Sequence, residues 1–199
     1  MDRSLAAAQR RVKGRGQPLR TQRLFFALWP QPAVRAALAG WRDQAQAAVG
    51  GRAMQSRNLH MTLVFLGDTR GDQIPAIQNA AALVKFEPCM IKLDCCAYWK
   101  HNRIVWAGGD APAPLQDAVR QLREALTAAD VDFDVKPFVP HVTLLRDVRS
   151  FDNASVPDAI DWAVSDFVLM ASGRDARGPV YPVVAGPCAS SAGQGFTSR

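Results

Sequence analysis

The chain has 199 residues, 48% of them hydrophobic and 21% charged, enough for one compact unit with a sizeable core or two small lobes sharing one. No apolar run approaches the roughly 20 residues of a membrane helix, and the composition is not that of a disordered or fibrous chain, so a soluble globular protein is expected. The net charge of +6 is concentrated in residues 1–20, where six basic side chains stand against Asp2, leaving the rest of the chain close to neutral.

Residues 1–20 read as a basic disordered arm that can attract a polyanion such as RNA but does no chemistry. Basic residues continue to Arg20 where a secretory signal would place an apolar core, so a cytoplasmic location is expected, without a membrane partner. The cysteines Cys89, Cys95, Cys96 and Cys188 form no CxxC pair, which argues for free thiols and against a structural zinc.

The core is expected as one unit over 21–185, with 186–199 as a flexible tail rich in small and polar residues. RLFFALW (23–29) predicts a buried strand, which Pro30 and Pro32 stop before a helix. Val34, Leu38, Trp41 and Ala45 line one face of that helix. LHMTLVFL (59–66) predicts a strand ending in a turn at Gly67-Asp68. Ile74, Ile77, Ala81 and Val84 mark a second helix. MIKLDCCAYW (90–99) and RIVWAG (103–108) predict a hairpin. Leu115, Val119, Leu122 and Leu126 mark a third helix. VDFDV (131–135), HVTLL (141–145), DFVLMA (166–171) and PVYPVV (179–184) complete the strands. Helices and strands mix without βαβ repetition, so the class is α+β with largely antiparallel sheets.

One signal stands above the rest. His60-Met61-Thr62-Leu63 recurs 81 residues later as His141-Val142-Thr143-Leu144, in a chain with three histidines. Residues two apart on a strand share a face, so each histidine points the same way as its threonine. The repeat suggests two similar lobes, each presenting one His–Thr pair to a shared cleft. Two facing imidazoles can act as acid and base on opposite sides of a phosphorus atom. Threonine hydroxyls can hydrogen-bond the phosphoryl oxygens between them. The chemistry needs no cofactor, and the sequence offers no convincing cluster of metal ligands.

Arg146 can hold phosphate charge bidentately, but strict alternation turns it away from His141 unless a strand end or bulge intervenes. The third histidine, His101, lies in the polar hairpin loop and reads as an exposed turn residue. Phe25, Phe26, Phe65, Trp99, Trp106 and Tyr181 read mostly as core, with one or two available to stack on a base.

The sequence resembles the 2H phosphoesterases, specifically the bacterial RNA 2′,3′-cyclic phosphodiesterase family, historically called 2′-5′ RNA ligases. RLFFALW, NLHMTLVFLGD (58–68), RIVWAG, PFVPHVTLLRD (137–147) and FVLMAS…GPVY carry the resemblance, in family order. It implies a bilobal fold, with two antiparallel sheets flanking a central cleft and helices outside. It implies hydrolysis of RNA 2′,3′-cyclic phosphate ends, such as those of tRNA fragments, to 2′-phosphomonoesters, and reversible 2′-5′ ligation. His60 is then the proton donor to the 3′ leaving oxygen and His141 the proton acceptor from water. Thr62, Thr143 and Arg146 bind phosphate, and a monomer suffices. The chain departs from relatives at Val139, where a histidine is common, and at Met170, where tyrosine is common. The alternatives are a phosphodiesterase for 2′-5′-linked oligonucleotides or small cyclic nucleotides, and a non-catalytic RNA-binding module.

Overall fold

The computed structural model describes residues 21–152, 158–186 and 188. The expected basic arm and nearly all of the expected tail lie outside these residues.

Strand β1 (Thr21–Leu28) is buried from Leu24 to Leu28 and has a hydrogen-bonded partner on each side. A strand enclosed in this way reads as a continuous apolar run. Helix α1 (Pro32–Val49) begins at Pro32, where the missing N–H costs nothing, and it buries Leu38, Trp41 and Ala45. The chain continues through β2 (Arg52–Ala53), a 3-10 turn (Ser56–Asn58), β3 (Met61–Arg70) and α2 (Ile74–Ala82). There follow β4 (Cys89–Leu93), β5 (Cys95–Trp99), β6 (Ile104–Gly108), α3 (Ala113–Ala128) and β7 (His141–Arg146). Strands β8 (Ile160–Val164), β9 (Val168–Asp175), β10 (Gly178–Val180) and β11 (Val183–Ala185) close the described chain.

All strand pairs are antiparallel. The main sheet runs β10-β9-β1-β3-β7-β6-β5, with β11 also on β9 and β2 also on β7, while β4 and β8 form a separate ribbon. Strands β3 and β7 share one register pair, Met61 with Val142, so the main sheet is two half-sheets touching at their inner edges. The halves are built alike. One runs β1–α1–β3 and the other β6–α3–β7, each ending in an H-x-T strand. The α+β antiparallel architecture expected from the sequence is the one observed.

Four local expectations give way. PVYPVV (179–184) is not one strand; it breaks at Tyr181-Pro182 into β10 and β11, which both pair with β9. β3 does not end at Gly67-Asp68 but runs to Arg70, because Gly67 (φ +73°) takes up a bulge opposite the Leu24–Phe25 step of β1. The left-handed backbone that signals a turn here serves a kink inside a strand. The run 90–99 is not one strand. It breaks at Asp94, so that β4 pairs with β8 and β5 pairs with β6. VDFDV forms no strand; Val131 is buried at the end of α3, and Asp134 N–H donates to the Phe65 carbonyl instead of joining a ladder. β8, with its alternating burial around the fully buried Trp162, has no counterpart among the strands that the sequence predicts.

Phe26, Phe167 and Trp162 anchor the core beside the buried stripe Leu115, Val119, Leu122 and Leu126 of α3. Truncating one such leucine to alanine costs about 2–5 kcal/mol. Among the described residues no helix is long and apolar enough to cross a membrane.

Candidate active site

The two H-x-T segments meet where β3 and β7 touch. His60 directly precedes β3 and His141 opens β7, so the Met61–Val142 pair sets the histidines side by side at the junction of the halves. Met61 and Val142 point into the core, while His60, Thr62, His141 and Thr143 line a cavity of about 420 Å³. The sequence-predicted groups are therefore together.

Arg146 joins them through an irregularity. Across β6 and β7, Thr143 pairs with Trp106 and Leu145 with Val105, leaving Leu144 without an opposite residue. That bulge shifts the alternation by one, and Arg146 returns to the His–Thr face, where it lines the cavity. The first half does the same. Thr62 pairs with Ala27 and Val64 with Phe26, leaving Leu63 unopposed and turning Phe65 to the cavity. Phe65 and Arg146 thus occupy equivalent positions, each five residues after its histidine. Gly51 (φ +90°) allows the chain to pass close to this end of β7: a Cβ there would lie 2.9 Å from the Arg146 carbonyl oxygen. The adjacent Asp147 takes a left-handed conformation and pairs with Arg52 at 3.0 Å, so it does not neutralise Arg146.

Both imidazoles are held in the same manner. His60 Nδ1 lies 2.7 Å from the Asn58 carbonyl oxygen and His141 Nδ1 lies 2.9 Å from that of Val139. A carbonyl only accepts, so each Nδ1 carries the proton and donates it, leaving each Nε2 for the cavity. In both cases the acceptor is two residues before the histidine, a backbone feature that side-chain identity does not reveal.

Aromatic rings enclose the pair. Phe25, Trp29 and Tyr181 lie with centroids 5.0, 6.2 and 5.1 Å from that of His60. Trp99 and Trp106 lie 4.5 and 6.2 Å from His141. This burial disfavours the imidazolium and pushes His60 down to about 4; the neighbouring His141 and Arg146 add to the effect, and the Asn58 carbonyl opposes it. His141 is lowered in the same direction, chiefly by burial and then by Arg146, against the Val139 carbonyl. Both shifts favour the neutral imidazole.

The charge lining the cavity is positive. Arg23 and Arg146 line it, no carboxylate does, and neither guanidinium has an ion-pair partner among the described residues. Arg23, Ser172, Asn58 and Tyr181 carry no lining signal in the sequence, because two different strands, the 3-10 turn and the β10–β11 connection bring them in. Arg23 lies 5.0 Å over the Phe65 ring. Of the aromatics read as core, Phe25 and Phe26 are buried, whereas Phe65, Trp99, Trp106 and Tyr181 are only half-buried around the cleft. His101 is exposed in its turn, 6.3 Å from Trp99. The four cysteines are unpaired thiols, and among the described residues no three His, Cys, Asp or Glu side chains are gathered as a metal would require.

Hydrogen bonds fasten the segment that carries His60. Arg57 makes a bidentate pair with Asp175 at 2.7 and 2.9 Å, and the buried Asn58 donates from Nδ2 to the Pro179 carbonyl at 2.8 Å. The β9–β10 hairpin therefore clamps the turn whose carbonyl orients His60.

Residues 28–106 match the LigT-like phosphoesterase family model. The chain is 32% identical over 154 residues to an RNA 2′,3′-cyclic phosphodiesterase of Escherichia coli, covering 76% of this chain and 87% of that one. It is 30% identical over 178 residues to the Thermus thermophilus protein of the same name, covering 81% and 87%. The fold superposes on E. coli LigT complexed with 3′-AMP with a TM-score of 0.73 at 30% identity, over 83% of this chain and 96% of the other. A solved T. thermophilus structure, TT0787, gives 0.67 at 28% identity over 82% and 95%. With a paired H-x-T cleft on that fold, the chain belongs to the LigT-like phosphoesterases of the 2H superfamily.

Proposed function

We propose that the protein hydrolyses RNA 2′,3′-cyclic phosphate ends to 2′-phosphomonoesters with two histidines and no metal. The observation that carries this reading is the matched pair of imidazoles, each with Nδ1 tied to a carbonyl and Nε2 left for a cavity that Arg146 makes positive. The E. coli and T. thermophilus relatives named RNA 2′,3′-cyclic phosphodiesterase support the substrate.

His141 Nε2 takes a proton from water as the water oxygen bonds to phosphorus. The bond from phosphorus to O3′ breaks, and O3′ takes a proton from His60 Nε2. Thr62, Thr143 and Arg146 hold the non-bridging oxygens, whose charge grows in the transition state. His60 must be protonated to serve, yet burial pushes it down to about 4. The bound phosphodiester supplies the missing charge: an anion beside the imidazolium favours it and offsets the repulsion from Arg146. Replacing water by a 5′-hydroxyl in the same step forms a 2′-5′ linkage, which makes ligation the counterpart of hydrolysis. The cleft is assembled within one chain, so a monomer suffices. Two complete His–Thr pairs disfavour a purely RNA-binding role.

The test is turnover of an RNA with a defined 2′,3′-cyclic phosphate end, with the product's phosphate position determined, before and after chelation by EDTA. A 2′-phosphate formed at an unchanged rate is expected. A 3′-phosphate product, or activity lost on chelation and restored by one divalent ion, overturns the reading.

A further inference from the structure

A second cavity, of about 490 Å³, adjoins the catalytic one and shares Thr62, Phe65 and His141 with it. Its size lies within the range of small-molecule sites, about 300–1,000 Å³, and far exceeds what a single water needs. Its far wall differs in character from the catalytic cavity. Trp99 and Phe138 are half-buried and present ring surface, and Val139 is 43% exposed beside them. Arg123 and Lys136 bring two positive charges against one carboxylate, Asp134, which Lys136 meets at 2.9 Å.

We propose that this second cavity is a subsite for the nucleotide preceding the cyclic-phosphate terminus, so that the protein selects oligoribonucleotide ends over cyclic mononucleotides. The inference rests on the reading that the catalytic cavity takes an RNA cyclic phosphate. Three observations carry it. The polynucleotide must leave the catalytic cavity on some side, and the His60 flank is occupied by the rings of Phe25, Trp29 and Tyr181. The open route passes Phe65, which walls both cavities and stands in the first half where Arg146 stands in the second. Beyond it lie aromatic surface and cations together, the combination that binds single-stranded nucleic acid through base stacking and phosphate attraction.

The experiment compares kcat/KM for adenosine 2′,3′-cyclic phosphate and for the trinucleotide ApApA ending in the same cyclic phosphate, in the wild-type protein, Lys136→Glu and Phe138→Ala. The wild type is expected to favour the trinucleotide by about tenfold or more, in keeping with the worth of one stacked base. Both variants are expected to pull that ratio towards one. Should Phe138→Ala fail to fold, the surface variant Lys136→Glu decides. Equal wild-type efficiency on the two substrates overturns the subsite while the catalytic reading stands, and so does a preference that survives in the folded variants. If neither substrate is turned over, the catalytic reading fails and the subsite fails with it.

Discussion

The two half-sites are alike in backbone and unlike in environment. Each has its histidine donating to the carbonyl two residues before it, a threonine two residues after, and a bulge at the leucine that follows. The first half then presents Phe65 and packs His60 among three aromatic rings, and the second presents Arg146. One strand design therefore positions both imidazoles, and the fifth residue of each copy sets what its half adds to the cavity. Repetition supplies geometry, and departures from repetition supply chemical asymmetry.

The comparison breaks most sharply at the histidines themselves. His60→Ala and His141→Ala should each lower kcat by about 10²–10⁴-fold, since general acid and base catalysis are each worth that much. The double variant should cost far less than the product of the singles, because both groups serve one step. Steady-state rates of the three variants on one cyclic-phosphate RNA check this, and near-wild-type turnover by either folded single variant would sink the two-histidine mechanism. With both imidazoles lowered in the free protein, the bell-shaped profile of kcat/KM should have limbs below 6.5, and that of kcat should lie at higher pH once the anion is bound.

The difference at the fifth position predicts the next effect. Arg146→Ala should cost about 10²–10³-fold in kcat, the usual loss when one donor to a developing oxyanion is removed. Arg146→Lys should recover part of it, keeping the charge without the planar fork. Phe65→Leu should leave kcat much closer to wild type and act mainly on KM. A larger fall in kcat for Phe65→Leu than for Arg146→Ala would reverse the assignment of roles.

Burial of His60 separates the halves by pH. Its value in the fold is about 4 against 6.5 for the unfolded chain, so between these limits the unfolded state binds more protons and stability falls as pH drops from 6.5 to 4. The contribution is at most about 3 kcal/mol, fully present above 6.5. Denaturant midpoints measured across that window should slope less steeply in His60→Asn than in the wild-type protein. An unchanged slope would show that other groups govern acid sensitivity.

The smallest effect concerns the clamp on the first half. Arg57→Ala removes the pair with Asp175, which is partly exposed and so contributes little through charge alone. A fall of at most about fivefold in kcat is expected, with KM little changed, and Arg57→Lys should restore part of it. A loss as large as that of His60→Ala would give Arg57 a direct role in chemistry.

The helices and the paired H-x-T motifs are legible in the chain alone. Their signals are local: a 3.6-residue apolar period in α1 and α3, and a rare residue pattern repeated in His60-x-Thr62 and His141-x-Thr143. Burial selects that period and chemistry selects those side chains, whatever lies far away in the chain. Tertiary structure decided the rest. Gly67 marks a turn or a bulge depending on the partner strand, and β1 made it a bulge. Asp94 divides one apolar run between two sheets because β8, more than 60 residues later, pairs with its first half. Arg146 reaches the cleft through a register shift against β6, and the carbonyls of Asn58 and Val139 fix the imidazole tautomers. Strand register and backbone acceptors depend on which segments meet, and that information lies in the pairing of distant strands and not in any one of them.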